Sequence, residues 1–280
     1  MTTNKTMNKT ADLNVDLENQ RVFPETASIP TVVRLEPCHR RLRARFAGQV
    51  IVDTTEAVYL METGHLPVYY FPRKDVRFDL LVATDTTTHC PHKGDASYWS
   101  IVVGDRTSKD AVWGYSSVIA SCPDITDYVA FYWDRVEEWF EEDEEVFVHA
   151  RNPYTRVDVL QSSRHVQVKV GGVVVADTHR PRLLFETNLP VRYYIPKLDV
   201  RMDLMTPTDS RTKCPYKGKA VYWSATIDGR VIEDIVWGYP APIPEIPKIE
   251  NHLCFYNERV DEIIVDGVVQ PRPVTKWSPK

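Results

Sequence analysis

The stretch Cys90-Pro91-His92-Lys93-Gly94 returns 124 residues later as Cys214-Pro215-Tyr216-Lys217-Gly218. The repetition extends well beyond this stretch: between Leu60 and Tyr115, 28 of 56 positions are identical at this offset, without a gap. The chain is therefore an internal duplication. Residues that both copies keep are the ones that each copy needs, for folding or for function.

The length supports two domains. A chain of 280 residues accommodates two domains of ordinary size, and a copy of about 110 residues buries a core without disulfides or metal. We predict a flexible tail over residues 1–36, a first repeat over 37–150 and a second repeat over 151–280. The second repeat includes a linker, 151–162, whose apolar residues indicate that it packs against a domain.

Charge and composition exclude several classes of partner. The net charge of −5, with both signs spread along the chain, argues against nucleic acid as the partner. The sequence has no apolar run of 18 residues and no apolar core of a signal peptide near its start, so we expect no membrane association. Five scattered cysteines do not form a disulfide framework, which favours a reduced, cytoplasmic protein.

Alternating polar and apolar residues around glycine turns predict β-hairpins. Residues 39–53 and 163–177 each alternate, turn at glycine and continue into a β-branched run, and Asp228-Gly229 and Asp266-Gly267 mark further hairpin turns. Twenty prolines leave room only for short helices, for which residues 125–128 and 245–251 are the candidates. We predict a mainly β chain: two tandem copies of a small antiparallel β-sandwich or β-tent-like domain.

The shared motifs resemble a known family. The pattern is Glu-Thr, then Tyr-Tyr-x-Pro-x-x-Asp-Val-Arg, Thr-x-Cys-Pro-x-Lys-Gly, Tyr-Trp and Trp-Gly-Tyr, over about residues 40–136 and 164–272. It is similar to the domain-of-unknown-function family 427, in a tandem two-copy form. The resemblance implies a small β-rich domain similar to the Mss4-like, or β-tent, architecture. Some members carry a nucleotidyltransferase label, but this sequence shows neither a glycine-rich phosphate loop nor a paired-aspartate metal motif.

Metal sites are not expected. Other β-tent proteins often hold zinc with two Cys-x-x-Cys pairs, whereas this chain has one cysteine at each Cys-Pro position. His89 and His92 lie beside Cys90, but the second copy has Lys213 and Tyr216 in their places. We therefore predict no metal and no other cofactor.

Two acidic and two basic residues are the first catalytic candidates. Glu62 and Glu186 end a mostly apolar stretch, where a carboxylate can serve as general acid or base, or can form a structural ion pair with an arginine. Lys93 and Lys217 lie in a Pro-x-Lys-Gly turn, where the ammonium group can bind an anion or act in proton transfer. The alternative for the lysines is a surface position set by turn geometry.

Cysteines form a further pair of candidates. Cys90 and Cys214 precede the turn lysines, and a lysine that folds back toward the thiol would favour the nucleophilic thiolate. The alternative is a buried, inert cysteine.

Arginines at alternate positions are candidates for substrate binding. Asp75, Arg77 and Asp79 share one face if their segment is a strand, and Asp199, Arg201 and Asp203 repeat the pattern. An arginine held between two carboxylates is oriented to bind a substrate carboxylate. The alternative is a solvated strand face with mutual ion pairs.

Aromatic residues are too many for the cores alone. We predict that one member of each adjacent pair lines a cleft, since neighbours on a strand face opposite sides. The candidates for substrate binding are Tyr70, Tyr98, Trp113, Tyr115, Tyr194, Tyr222, Trp237 and Tyr239. The same residues also suit a domain interface.

These features favour a small-molecule enzyme without nucleotide or metal cofactor. Proton transfer on an organic acid or related metabolite, by a lyase, isomerase or hydrolase, fits the residue set better than redox chemistry. A non-catalytic small-molecule binding module and an interaction protein remain alternatives. The duplication resembles a fused homodimer, so a monomer with an internal pseudo-dimer is expected, with homo-oligomers still possible.

Overall fold

The computed structural model describes residues 13–16, 21–24 and 30–279. Most of the predicted tail lies outside the described residues. Within it, strands β1 (Leu13–Asp16) and β2 (Arg21–Pro24) pair antiparallel. Contacts group the described residues into two compact units, residues 30–153 and residues 154–279 together with β1 and β2, and the division at 153/154 lies inside the predicted linker. We call them the first and the second domain.

The first domain is built from antiparallel strands with three short 3-10 helices. The strands are β3 (Val33–Pro37), β4 (Leu42–Phe46), β5 (Gln49–Thr54), β6 (Val58–Glu62), β7 (Val68–Pro72), β8 (Leu81–Cys90), β9 (Gly94–Val103), β10 (Arg106–Tyr115), β11 (Tyr128–Phe131), β12 (Glu138–Glu141) and β13 (Glu144–Val146). The 3-10 helices are Arg73–Asp75, Phe78–Leu80 and Trp133–Arg135.

Two sheets enclose the main core of this domain. One sheet has the order β3-β6-β7-β11-β10-β9-β8 and the other β13-β12-β4-β5. Leu42 and Ile51 of the smaller sheet pack in one cluster with Phe71, Val112 and Phe131 of the larger one. Burial of these side chains is the main source of stability, at about 25 cal/mol for each Å² of apolar surface.

The second domain repeats this arrangement. Its strands are β14 (Val157–Gln161), β15 (Val166–Val170), β16 (Val173–Thr178), β17 (Arg182–Glu186), β18 (Arg192–Pro196), β19 (Met205–Cys214), β20 (Gly218–Ile227), β21 (Arg230–Gly238), β22 (His252–Phe255), β23 (Glu262–Val265) and β24 (Val268–Val269). The 3-10 helices are Lys197–Asp199, Met202–Leu204 and Pro247–Ile249. The sheet orders are β14-β17-β18-β22-β21-β20-β19 and β16-β15-β23-β24. The mainly β prediction with two similar halves is confirmed.

The hairpin predictions are also confirmed. The glycine turns join β4 to β5, β15 to β16, β20 to β21 and β23 to β24. The helix predicted over residues 245–251 is a single 3-10 turn, and residues 125–128 form a turn that leads into β11. Strand β3 begins within the predicted tail, and β14 lies in the predicted linker, where it pairs with β17 of the second repeat.

The strand predicted for Asp75–Leu80 is wrong. The segment forms two 3-10 turns, in which the N–H groups of Val76 and Leu80 bond to carbonyls three residues earlier. The chain passes here from β7, inside the sheet, to β8 at its edge, and the turns place Val76, Phe78 and Leu80 against the main core. Alternation of charged and apolar residues therefore arises from tight turns rather than from a strand. The second copy repeats this with Asp199–Leu204.

A buried ion pair with an aromatic wall

The outer face of the seven-stranded sheet, turned away from the main core, carries the candidate site. Side chains alternate across a sheet, so Tyr69 and Phe71 face the main core while Val68 and Tyr70 face outward. The outward residues form a second buried cluster with a covering loop, residues 116–127. Its buried members are Leu60, Tyr70, Ala96, Tyr98, Tyr115, Cys122, Ile125 and Ala130.

An ion pair joins two distant parts of this sheet. Lys93 Nζ donates to Glu62 Oε2 at 2.5 Å, and each side chain is only 11% exposed. Glu62 ends β6, while Lys93 lies in the turn between β8 and β9. In a flat sheet β6 and β9 would be about 19 Å apart, at about 4.8 Å per strand. The sheet must therefore curl so that β6 and β9 approach each other on the outer face, which makes this face concave.

Backbone bonds fix the turn that holds Lys93. Lys93 N–H bonds to the carbonyl of Cys90, and its own carbonyl accepts from Ile119 N–H of the covering loop, at 3.2 Å each. Gly94 follows with a φ of +113°, and a Cβ there would lie 3.4 Å from Ser117 O. Glycine is needed at this turn because a side-chain-bearing residue rarely adopts that conformation. The lysine is thus held by the loop on one side and by Glu62 on the other.

Aromatic side chains hydrogen-bond along the concave face. Trp113 Nε1 donates to Tyr70 OH at 3.3 Å, and the Thr88 and Tyr98 hydroxyls are 2.7 Å apart. The Tyr132 ring lies 4.6 Å from that of Trp113 and is 40% exposed. Tyrosine and tryptophan with one apolar body and one polar end suit a ligand pocket.

A pocket of about 490 Å³ opens beside the ion pair. Its walls are formed by Leu60, Glu62, Gly64, His65, Leu66, Val68, Tyr70, Lys93 and Trp113. Ligand pockets in proteins commonly have this volume and this combination of apolar walls with few polar groups. The pocket thus brings a carboxylate and an ammonium group to one side of an apolar, aromatic cavity.

Two tyrosines of the cluster stay protonated at neutral pH. Burial raises the pKa of Tyr70 and of Tyr115 well above the usual value. Both hydroxyls are therefore available as hydrogen-bond donors rather than as bases.

The second domain contains the same polar arrangement. Lys217 Nζ donates to Glu186 Oε2 at 2.5 Å, with the side chains 10% and 9% exposed. Trp237 Nε1 donates to Tyr194 OH at 3.3 Å, and the hydroxyls of Thr212 and Tyr222 are 2.7 Å apart. Tyr239 belongs to the same buried cluster.

One wall differs between the domains. Where the first domain has Val68, the second has Arg192, which donates two hydrogen bonds to Glu258 at 2.6 and 2.7 Å. The pair is almost completely buried, with Arg192 6% and Glu258 0% exposed. The Arg192 guanidinium lies 5.7 Å from the Trp237 ring and 5.3 Å from that of Trp277. Thr275 Oγ1 also donates to Glu258, at 2.5 Å, so the C-terminal segment packs against this wall.

The arginines predicted to bind substrate lie outside this arrangement. Arg77 pairs with Asp79 on the surface, with the side chains 52% and 60% exposed, and Arg201 pairs in the same way with Asp203. Asp75 instead accepts a hydrogen bond from Thr54. An ion pair between Glu62 and an arginine of this segment, the structural alternative, does not form because Glu62 bonds to Lys93.

The cysteines lie at the edge of the site. Cys90 and Cys214 are half-buried, and the lysines expected to fold back toward the thiols bond to Glu62 and Glu186 instead. Sequence reasoning missed Cys122, a buried thiol of the covering loop whose pKa is raised by burial.

Sequence reasoning also missed Thr88 and Tyr132. Both residues are identical in the second copy, as Thr212 and Tyr256, so the comparison of copies carried the signal.

Within the described part of the chain, no group of three or more His, Cys, Asp and Glu side chains is arranged to hold a metal ion. In the same residues, no helix is long and apolar enough to cross a membrane.

The fold and site define a class of protein: tandem antiparallel β domains, each with a lysine–glutamate pair buried on the concave face of a seven-stranded sheet. The model of the family described as domain of unknown function (DUF427) matches residues 34–142 and 158–266, more than three quarters of the chain. The chain belongs to this family, in a two-copy form. A search of curated proteins finds no match.

Proposed function

We propose that the first domain binds a small organic acid or related carbonyl compound and transfers a proton on it. The observation that supports this is the Glu62–Lys93 pair, which lines a pocket of about 490 Å³ with Tyr70 and Trp113. A paired base and acid on one wall is the equipment that proton transfer next to a carbonyl requires.

Each member of the pair has a distinct role in this proposal. The Lys93 ammonium donates a hydrogen bond to the substrate carbonyl oxygen, and the Glu62 carboxylate removes a proton from the adjacent carbon. The electron pair of the broken C–H bond moves onto the oxygen, where Lys93 and a protonated tyrosine stabilise the negative charge. Return of the proton from Glu62 to the same or to a neighbouring carbon completes an isomerisation. Loss of a leaving group instead completes an elimination.

Since Lys93 and Glu62 neutralise each other, the pocket offers a dipole rather than a net positive charge. A carbonyl flanked by an acidic C–H fits such a dipole, because its oxygen faces the ammonium and its proton faces the carboxylate. No role is assigned to Arg77, Arg201, Cys90 or Cys214 in this scheme, and no nucleotide or metal cofactor is needed for it.

A non-catalytic binding module is the second candidate. Glu62 and Lys93 satisfy each other at 2.5 Å, and the second domain keeps the same bond in Glu186 and Lys217. A pair with this geometry in both domains also suits a rigid wall that shapes a binding pocket without reacting.

Proton exchange separates the two candidates. A panel of organic acids, amides and keto compounds is incubated with the protein in D₂O, and deuterium incorporation is followed by NMR. The same panel is tested by thermal shift, where a ligand at 100 times its dissociation constant adds about 2.7 kcal/mol. We expect a stabilising compound that exchanges a C–H proton with wild type and with Glu186→Gln, but at least 100-fold more slowly with Glu62→Gln.

Binding without exchange by any variant would support the binding module. Exchange that survives in Glu62→Gln would contradict the assignment of Glu62 as base. A panel without any stabilising compound would contradict both candidates.

A further inference from the structure

In the second domain, Arg192 replaces Val68, a residue that lines the pocket of the first domain. Strands β7 and β18 have the same register with their neighbours, so Val68 and Arg192 occupy equivalent positions. Arg192 extends from this position between Trp237 and Trp277, and its guanidinium bonds to Glu258. The second domain thus carries its own planar cation on the tryptophan of the shared Trp-Gly-Tyr motif.

In the first domain the same place belongs to the pocket. Val68 and Trp113 both line the cavity, and a valine leaves free the space that the longer arginine side chain fills in the second domain. The pocket is therefore bordered by a tryptophan whose counterpart binds a guanidinium group.

The first domain also carries an acidic residue at the position of the arginine's partner. The counterpart of Glu258 is Asp134, which is exposed and follows Tyr132 and Trp133 in the chain. Asp134 and the positively charged Arg135 share one 3-10 turn, which follows Tyr132, whose ring packs on Trp113. Within the described residues, the Asp134 carboxylate has no hydrogen-bond or ion-pair partner.

We infer that the pocket of the first domain binds a ligand with a guanidinium or amidinium group at one end, which takes the place that the Arg192 side chain has in the second domain. Trp113 provides the aromatic surface for this group and Asp134 the opposite charge. The inference rests on the proposed function and names its substrate class: an organic acid or amide whose carbonyl end reaches Glu62 and Lys93 while its cationic end lies at Trp113.

Two positive and two negative groups lie in or near the site: Lys93 and Arg135, and Glu62 and Asp134. The Arg135 guanidinium donates a hydrogen bond to the Lys109 carbonyl. Lys93 is neutralised by Glu62 at 2.5 Å, so it repels a second cation only weakly. A neutral planar group would also stack on Trp113, but it would gain nothing from Asp134. The quantity to measure is therefore how much more tightly a cation binds than a neutral group of the same shape.

The test compares a cation with its neutral isostere. Binding of 4-guanidinobutanoate and 4-ureidobutanoate, which differ in charge but hardly in shape, is measured by titration calorimetry. We expect the guanidinium compound to bind wild type about tenfold more tightly. Asp134→Asn, at an exposed position where folding is not at risk, should weaken binding of the guanidinium compound about three- to fivefold and leave the ureido compound unchanged.

A second variant imitates the second domain. Val68→Arg with Asp134→Glu should place an internal guanidinium in the pocket and abolish binding of the guanidinium compound. Val82→Arg, an exposed valine outside the pocket lining, serves as the matched control and should bind like wild type. Retained hydrogen-exchange protection shows that the double variant is folded.

The outcomes separate this inference from the proposed function. Equal binding of the two compounds, blocked by Val68→Arg with Asp134→Glu, would overturn the cationic substrate class and leave the proposed function standing. Binding that the double variant does not affect would overturn the assignment to this pocket. Absence of binding by both compounds, together with a negative organic-acid panel, would overturn both proposals.

Discussion

The two domains have the same buried lysine–glutamate pair but differ in one residue beside it. Both have a buried lysine–glutamate pair at 2.5 Å and a tryptophan that donates a hydrogen bond to a tyrosine. The first domain then has Val68 beside an open pocket, whereas the second has Arg192 buried with Glu258. Both domains thus have the lysine–glutamate pair, while the residue beside it differs: Val68 lines a pocket in the first domain, and Arg192 is buried against Glu258 in the second.

The lysine–glutamate pair is the same in both domains although the residue beside it differs. Because the second domain keeps Glu186–Lys217 although Arg192 occupies the adjacent wall, the pair has a structural role in both domains. It ties the end of one strand to a hairpin turn that is distant in the sheet order. Any catalytic role in the first domain is added to that structural one, so activity and stability must be measured on the same variants.

The largest expected loss of stability follows from breaking the buried Arg192–Glu258 pair of the second domain. Arg192→Ala leaves the fully buried Glu258 without its charged partner, and removal of one member of such a pair costs about 3–5 kcal/mol. Val68→Ala, the matched change in the first domain, should cost about 1 kcal/mol because it removes only methyl groups of a half-buried side chain. Urea unfolding gives the totals, and hydrogen exchange read by mass spectrometry assigns each loss to a domain.

A double variant tests the cause. Arg192→Met with Glu258→Leu removes both charges and should lie within about 2 kcal/mol of wild type, since apolar replacement of a whole buried pair is often neutral. If Arg192→Ala loses no more stability than Val68→Ala, the two walls do not differ in the way described.

A smaller difference is expected in the Trp-Gly-Tyr motif that both copies keep. A Cβ at Gly238 would lie 2.9 Å from the backbone oxygen of His252, in the paired strand β22. At Gly114 the atom at 2.9 Å is the end of the flexible Arg73 side chain, Val129 Cγ1 lies at 3.0 Å, and the equivalent backbone oxygen, of Tyr128, is further away at 3.2 Å. Gly238→Ala should therefore cost about 2–3 kcal/mol and Gly114→Ala about 1 kcal/mol.

Urea unfolding of the two single variants measures this difference. Equal losses would mean that the backbone of β22 moves as easily as an arginine side chain.

The shared parts of the domains were largely predictable from sequence. Period-two alternation placed Tyr69 and Tyr70 on opposite faces, and glycine turns located the hairpins. Retention in both copies selected Glu62 and Lys93 as candidates. Their contact was not predictable, because it spans four strand intervals and depends on how far the sheet curls, which local sequence patterns do not record.

The differing wall could not be found by the same reasoning. A comparison that searches for retained residues passes over position 68, where the first domain has valine and the second has arginine, although this residue lines the pocket in the first domain. The charged pattern around Arg77 misled for a physical reason as well. A tight 3-10 turn buries Val76 and packs Phe78 against the core, and so imitates the alternation of a strand.

The smallest expected effect is the change with pH in the stability that Glu258 and its counterpart Asp134 contribute. Burial alone would raise the pKa of Glu258, but the hydrogen bonds and charge of Arg192, with the bond from Thr275, outweigh it and hold the pKa below the usual 4.5. A carboxylate with a lowered pKa stabilises the folded state above the unfolded value, and this contribution is lost as the pH falls through the folded pKa. Each unit of lowering corresponds to about 1.4 kcal/mol.

The measurement is the difference in unfolding free energy between wild type and Glu258→Gln at pH 7, 4.5 and 3, in which the titration of other carboxylates cancels. This difference should be constant from pH 7 down to about 4.5 and should shrink below that value. The matched pair, wild type and Asp134→Asn, should show little change, because Asp134 is exposed and has no ion-pair partner among the described residues. Acid protonates Glu258 but leaves Arg192 charged. If the stability difference between wild type and Glu258→Gln persists at pH 3, the stabilisation comes from packing of the Glu258 side chain rather than from its charge. The two domains would then differ at this position only in shape.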